Sequence, residues 1–267
     1  MRVAVTAGHR RSLHAVALVG GLAARGHDVA LVLEVSVLDV PRVRAYLRQW
    51  GVRRLAGKVA SRAGRGSFGG VGGEVRPLRD RLAAEGLPDS VVAGAEAVGA
   101  THVRVRSLDD PAAVDALAAA GVDVAVYAGG GILRPALLDL PTHGWLNAHG
   151  GPLPAFRGMN ASEWAMFHGV APAVTVHLVD PGVDTGPVLF ERPVEVRADD
   201  SIYDVRGRAA LVGVDALLDA VDDLEHGRLR PTPQDRAAGR QYFVMAEPLL
   251  EVLDRWRAQG RTPRPPA

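Results

Sequence analysis

Hydrophobic and polar positions fall into blocks along the chain. Residues 2–6 (RVAVT) form a short apolar run of strand length. Residues 13–25 carry aliphatic side chains at helical spacing and end in RGHD, where a glycine suits a helix C-terminus. Residues 28–33 (DVALVL) are strand-like again. Strand, helix, strand in that order predicts a βαβ unit and a parallel sheet. The alternation resumes with a strand at 102–105. A helix follows at 110–120, with Asp110 as N-cap and Pro111 at its first position. A buried strand at 123–127, a short helix near Arg134 and Pro135, and a strand at 144–148 come next. A helix at 160–167 is expected to be capped by Asn160. Strands at 174–179 and 188–196 follow, the second placed at a sheet edge by Pro193. A long helix over 201–225 and a last one over 249–258 complete the pattern. The expected fold is α/β: a Rossmann-like, mostly parallel twisted sheet flanked by helices.

One stretch departs from this regularity. Residues 41–84 are rich in arginine and hold the glycine-rich run GRGSFGGVGG. They read as a basic insertion in a domain spanning 1–200, with 201–267 a C-terminal helical extension packed on the same domain. The insertion is either a solvated surface or an anion-attracting lid.

Composition narrows the chemistry. The net charge is +1, so the whole chain is not built as a polycation for nucleic acid. No apolar run approaches the roughly 18–20 residues of a membrane span, and the N-terminus enters a strand-like run at once, unlike a signal peptide. A cytoplasmic enzyme is expected. Cysteine is absent, which excludes disulfides and thiol chemistry. No histidine cluster has zinc-ligand spacing, so no metal is expected.

The chemistry concentrates in WLNAHGGPLPAFRG at 145–158. Residues two apart in a strand share a face, so Asn147 and His149 project together. The glycines after them place both at the strand's C-terminal end, the edge where open α/β sheets form their ligand crevices. An asparagine amide can donate to a developing oxyanion, and a histidine can move a proton near neutral pH. A carboxylate is wanted to orient the ring and hold it charged. The loop VDPGVDTG at 179–186 offers Asp180 and Asp184.

Together these motifs resemble the folate-dependent formyltransferase family, whose members include methionyl-tRNA, glycinamide ribonucleotide and sugar-nucleotide formyltransferases. The resemblance runs from DVAVYAGGGILRPALLDLP through GWLNAHGGPLPAFRGMNASEWAMFHG to AVTVHLVDPGVDTGPVL. It is looser over the first βαβ unit and the TPQDRAAG tail. Gly151 and Pro152 stand where the family more often has Ser-Leu. The resemblance implies the formyltransferase fold and the catalytic set Asn147, His149 and Asp184. It implies 10-formyltetrahydrofolate as co-substrate, lying against Tyr127, Gly129, Gly130, Gly131, Ile132 and Leu133 on one side and Val179, Asp180 and Val183 on the other. Formyl transfer to a small-molecule amine follows, with protonated His149 and Asn147 stabilising the oxyanion. An amino-sugar nucleotide or a secondary-metabolite amine is the class of acceptor favoured.

For the acceptor side, the turn AGHRRS at 7–12 opens a helix N-terminus, a natural anion site. His9, Arg10 and Arg11 are expected to hold an acceptor phosphate there. Pro152 would stiffen the loop beside the reacting carbon, and Arg157 would shape the site or form a loop salt bridge. His177 reads as a core or edge residue of its strand, His168 as a helix end and His143 as a turn. A tRNA acceptor is disfavoured, because charge is balanced and the chain after Gly227 is short for a separate tRNA-binding domain. A homodimer is compatible with the reading. Hydrolysis of the same formyl-folate is an alternative that these residues do not separate. A nucleotide-sugar-binding or glycosyltransferase-like module is an alternative of another class, suggested by residues 7–32. It needs a second Rossmann-like half and leaves NAHGG and VDTG unexplained.

Overall fold

A computed structural model describes residues 1–36 and 72–261. The expected insertion at 41–84 falls mostly outside them; its last part, 72–84, is a helix. In chain order the described elements begin with β1 (Arg2–Ala7), α1 (Leu13–Ala24), β2 (Asp28–Val35), α2 (Gly72–Ala84), α3 (Val91–Ala97) and β3 (Thr101–Val105). Then come α4 (Pro111–Ala120), β4 (Val124–Tyr127), α5 (Pro135–Leu138), β5 (Trp145–His149), β6 (Phe156–Gly158), α6 (Ala161–Phe167) and β7 (Ala173–Leu178). β8 (Val188–Pro193), α7 (Ile202–Glu225), β9 (Arg240–Tyr242) and α8 (Glu247–Ala258) complete the set.

Among the described residues the main sheet has seven strands in the order β3-β2-β1-β4-β5-β7-β8. The pairs from β3 to β5 are parallel, whereas β7 runs antiparallel to β5 and β8 antiparallel to β7. β8 is the edge strand and ends at Pro193, which has no amide hydrogen to continue the ladder. β6 and β9 form a separate parallel pair. Neither these two short strands nor α3 is visible in the hydrophobic pattern, because each is too short to show a period.

Alternate residues of β1 supply two cores. Val3 and Val5 join Leu18, Leu22, Leu217 and Leu218 beneath α1, α2 and α7. Ala4 joins Leu31, Leu33, Leu117 and Trp145 on the other face, beneath α4 and α5. Trp145 is fully buried and donates its indole N–H to the Leu137 carbonyl at 2.8 Å. α7 therefore belongs to the central core and is held at its start by a capping box between Ser201 and Asp204. Asn160 departs from expectation: it precedes α6 at φ 53° with no side-chain cap bond. Its amide reaches Glu163 instead, and its carbonyl oxygen accepts from the Met245 amide.

α1 and α7 approach closely because position 21 is glycine; a Cβ there would lie 2.6 Å from a methyl of Leu218. Leu218→Ala should remove the filling of this contact and lower unfolding free energy by about 2–5 kcal/mol, measured by urea unfolding at pH 7.

Candidate active site

β4 and β5 deliver Tyr127 and the Asn147–His149 pair to the carboxyl edge of the sheet. The antiparallel return of β7 sets His177 opposite Asn147 and Thr175 opposite His149. The chain then leaves β7 through residues 179–187 and brings Asp184 back over the strand ends.

Four side chains meet there. Asn147 Nδ2 lies 3.0 Å from His177 Nε2, and His177 Nδ1 lies 2.8 Å from the Leu178 carbonyl. The tautomer that satisfies both contacts carries its proton on Nδ1 and accepts from Asn147 at Nε2. That fixes which way the Asn147 amide faces. His149 Nε2 is 2.6 Å from the Phe156 carbonyl and so donates to it. Its Nδ1 is 3.4 Å from Asp184 Oδ2. The same oxygen accepts from the Gly158 amide at 2.8 Å, while Oδ1 stands 3.6 Å from His177 Nε2. Asp184 adopts φ 52°, one of two non-glycine residues with positive φ among those described. This conformation costs about 1–2 kcal/mol for an L-residue, so the surrounding bonds must hold it.

Electrostatics sharpen the picture. Burial pushes His149 below its ordinary pKa, only partly opposed by the Asp184 charge and the Phe156 carbonyl. Desolvation thus opposes the cationic His149 that the family resemblance implies, while the Asp184 charge favours it. Burial alone would raise Asp184; the contact with His177, the His149 ring and the Gly158 amide outweigh it, and the carboxyl falls below its usual range. Tyr127 is pushed up by burial, against its bond to the Gly131 carbonyl.

His149 borders two cavities. The larger, about 650 Å³, is walled by Tyr127, Gly131, Ile132 and Leu133 on one side and by Val179, Asp180, Val183 and Asp184 on the other. Phe243, 74% exposed, and Ile132, 67% exposed, stand at its rim. Gly129 and Gly130 are not in its wall; they pack against Gly8 and against Val35 and Leu108. The smaller cavity, about 330 Å³, lies on the other side of Ala148–Gly150. It is lined by His14, Ser162, Glu163 and Arg206. Glu163 is buried and takes an ion pair from Arg206 and a bond from Asn160. Among the described residues His14 Nε2 is buried without a hydrogen-bond partner, and burial lowers the ring's pKa to about 4.

Other expectations are corrected by position. His9, Arg10 and Arg11 line neither cavity. They form the turn before α1, in which Ser12 caps the helix and the Arg10 carbonyl accepts from Val91. Pro152 is buried, and its carbonyl accepts from the Phe156 amide. Among the described residues Arg157 meets no carboxylate in a salt bridge; it donates to the carbonyls of Arg236 and Gly239 and so secures the tail that follows α7. His177 belongs to the site, and the signal was its two-residue offset from Val179 together with a strand pairing the sequence does not show. His14, Glu163 and Arg206 carried no local motif. Among the described residues no group of His, Asp or Glu could hold a metal ion, and no helix is long and apolar enough to cross a membrane.

A family model described as formyl transferase matches residues 76–221. Methionyl-tRNA formyltransferases of Anaeromyxobacter sp. and Acidothermus cellulolyticus are each 37% identical, over 61% and 55% of this chain and 54% and 46% of their own lengths. The chain thus spans about half the length of these curated relatives. Among solved structures, glycinamide ribonucleotide transformylase 1 of Symbiobacterium toebii aligns with a TM-score of 0.56 at 22% identity, covering 88% of this chain and 94% of its own. A sugar N-formyltransferase of Shewanella sp. aligns with a TM-score of 0.57 at 14% identity, covering 97% and 87%. At these identities the likeness to solved structures is one of fold.

Two titrations test the electrostatics. An NMR titration should place His149 below the ordinary histidine value of 6.5, and Asp184→Asn should lower it further by removing the neighbouring anion. His14 binds its proton more weakly folded than unfolded, so stability should be full above pH 6.5 and fall as pH drops toward about 4. His14→Gln should flatten that part of the stability–pH curve.

Proposed function

Because the chain belongs to the formyl transferase family, we propose that it transfers the formyl group of 10-formyltetrahydrofolate to the amine of a small-molecule acceptor. The observation that carries this reading is the position of His149 between two cavities of unequal size. The larger has apolar walls and an open rim that suit a flat, extended donor. The smaller has the polar lining and the volume of a compact amine-bearing group.

The residues act as follows under this reading. Asn147 uses one amide hydrogen on His177 and keeps the other for the formyl oxygen as it gains charge. His149, neutral at rest with Nε2 bonded to Phe156, accepts the proton of the attacking amine at Nδ1. Asp184 stabilises the imidazolium so formed and keeps the ring in place. His149 then returns the proton to the departing folate nitrogen. A bond forms between acceptor nitrogen and formyl carbon, the bond from that carbon to the folate nitrogen breaks, and one proton moves from the first nitrogen to the second.

A second reading is favoured by the curated relatives, which are methionyl-tRNA formyltransferases. In it the amine is that of an aminoacyl-tRNA. The two readings separate in one experiment. The protein is incubated with 10-formyltetrahydrofolate and, in parallel, a panel of amino sugars and their nucleotides, charged initiator tRNA, or no acceptor. Formyl mass gain on a panel amine supports the first reading; gain on the tRNA alone replaces it with the second. Formate release without acceptor, and no gain anywhere, replaces both with hydrolysis.

Asn147→Ala should lower kcat by about 10²–10³, and His149→Ala should lower it at least as far, with both variants folded by circular dichroism. A near-wild-type rate in either removes that residue from the reaction.

A further inference from the structure

We propose that Gln234 is the positioning residue for Asp184, holding the backbone of the 180–186 loop so that the carboxylate meets His149 and the Gly158 amide. This rests on the reading of Asp184 as the partner of His149 and concerns how that partnership is built.

Gln234 lies in the segment after α7. Its single amide nitrogen donates twice, to the Asp184 carbonyl at 3.1 Å and to the Gly186 carbonyl at 2.6 Å. The two acceptors bracket Thr185, so one side chain fixes the peptide planes on both sides of the turn that puts Asp184 at φ 52°. The amide cannot be turned over. Its Oε1 is buried with no hydrogen-bond partner among the described residues, and a reversed group would face two carbonyl oxygens with a third.

The other end of the loop is gripped from the same segment. Asp180 Oδ1 accepts from the Gly182 amide and the Thr185 hydroxyl, and Oδ2 accepts from Arg236 at 2.8 Å. The segment itself is anchored on both flanks. Thr232 and Val188 exchange two backbone bonds of 2.8 and 2.9 Å. Beyond Arg236, β9 pairs with β6, the strand that carries the Phe156 carbonyl and the Gly158 amide. Gln234 thus stands on a braced support and reaches the loop that holds Asp184 at φ 52°. Its chemistry is specific: two hydrogens on one nitrogen serve two carbonyls. A methionine of similar length offers none, and an ionised carboxylate would repel both.

The experiment uses the full chain, isotope-labelled and free of ligands, with Gln234→Met and Gln234→Glu. In Gln234→Met the Gly158 amide, which donates to Asp184, should exchange with solvent at least tenfold faster, while amides of β1 and β4 keep their protection. The His149 pKa should fall further as the carboxylate moves away. Gln234→Glu should match Gln234→Met at pH 7. It should regain Gly158 protection relative to it as acid protonates the introduced carboxyl and restores one donor. His149, His177 and Tyr127 face Asp184 from β5, β7 and β4, and Asp180 and Arg236 flank the loop; all are common to both variants and cancel in that comparison. Unchanged Gly158 protection and an unchanged His149 titration in Gln234→Met would overturn the proposal. So would acceleration spread equally over β1 and β4, which marks a general loss of stability. Neither readout depends on formyl transfer, so an inactive wild-type protein would overturn the functional reading and leave this one standing on its own result.

Discussion

The antiparallel pairing of β7 against β5 is the contact on which the site depends. Up to β5 the sheet is parallel, and each strand end opens separately onto the carboxyl edge. Reversing the next strand places His177 directly across from Asn147, within reach of a side-chain hydrogen bond. β7 ends beside the start of β5, and the loop that follows brings Asp184 Oδ2 to 3.4 Å from His149 Nδ1.

Burial then decides the charge states. His149 is almost fully enclosed, and removing water from a cation is costly. Asp184 stands below its usual range although burial opposes its charge, and the Gly158 amide donates to its Oδ2 at 2.8 Å. The electrostatics of this pair therefore follow from the depth of the site as well as from the identity of its residues.

The tail after α7 is part of the same construction. It supplies Gln234 and Arg236 to one loop and β9 to the other, and Arg157 returns two bonds to it. Gly158 shows how tight the joint is: at φ 93°, a Cβ there would lie 2.2 Å from the Tyr242 carbonyl. Residues far apart in sequence therefore share responsibility for the orientation of one carboxylate.

The hydrophobic pattern by itself determined the strands from β1 to β8 other than β6, the helices α1, α4, α7 and α8 and the sheet class, because periodicity reports which face of an element is buried. Local spacing also brought out Asn147 and His149, since two residues on one strand must share a face whatever the fold. The loop at 179–186 offered both Asp180 and Asp184 as the carboxylate, and resemblance to a family motif chose Asp184. Tertiary structure alone decided the rest. It moved Gly129, Gly130 and Pro152 into packing roles and kept Arg10 and Arg11 out of both cavities. It also gathered His14, Glu163 and Arg206 around the smaller cavity. The physical reason is that strand order, strand direction and the path of the tail fix which distant residues meet, and none of these leaves a period in the chain. The protonation state of His149 belongs to the same class, for it is set by how much water the assembled fold removes.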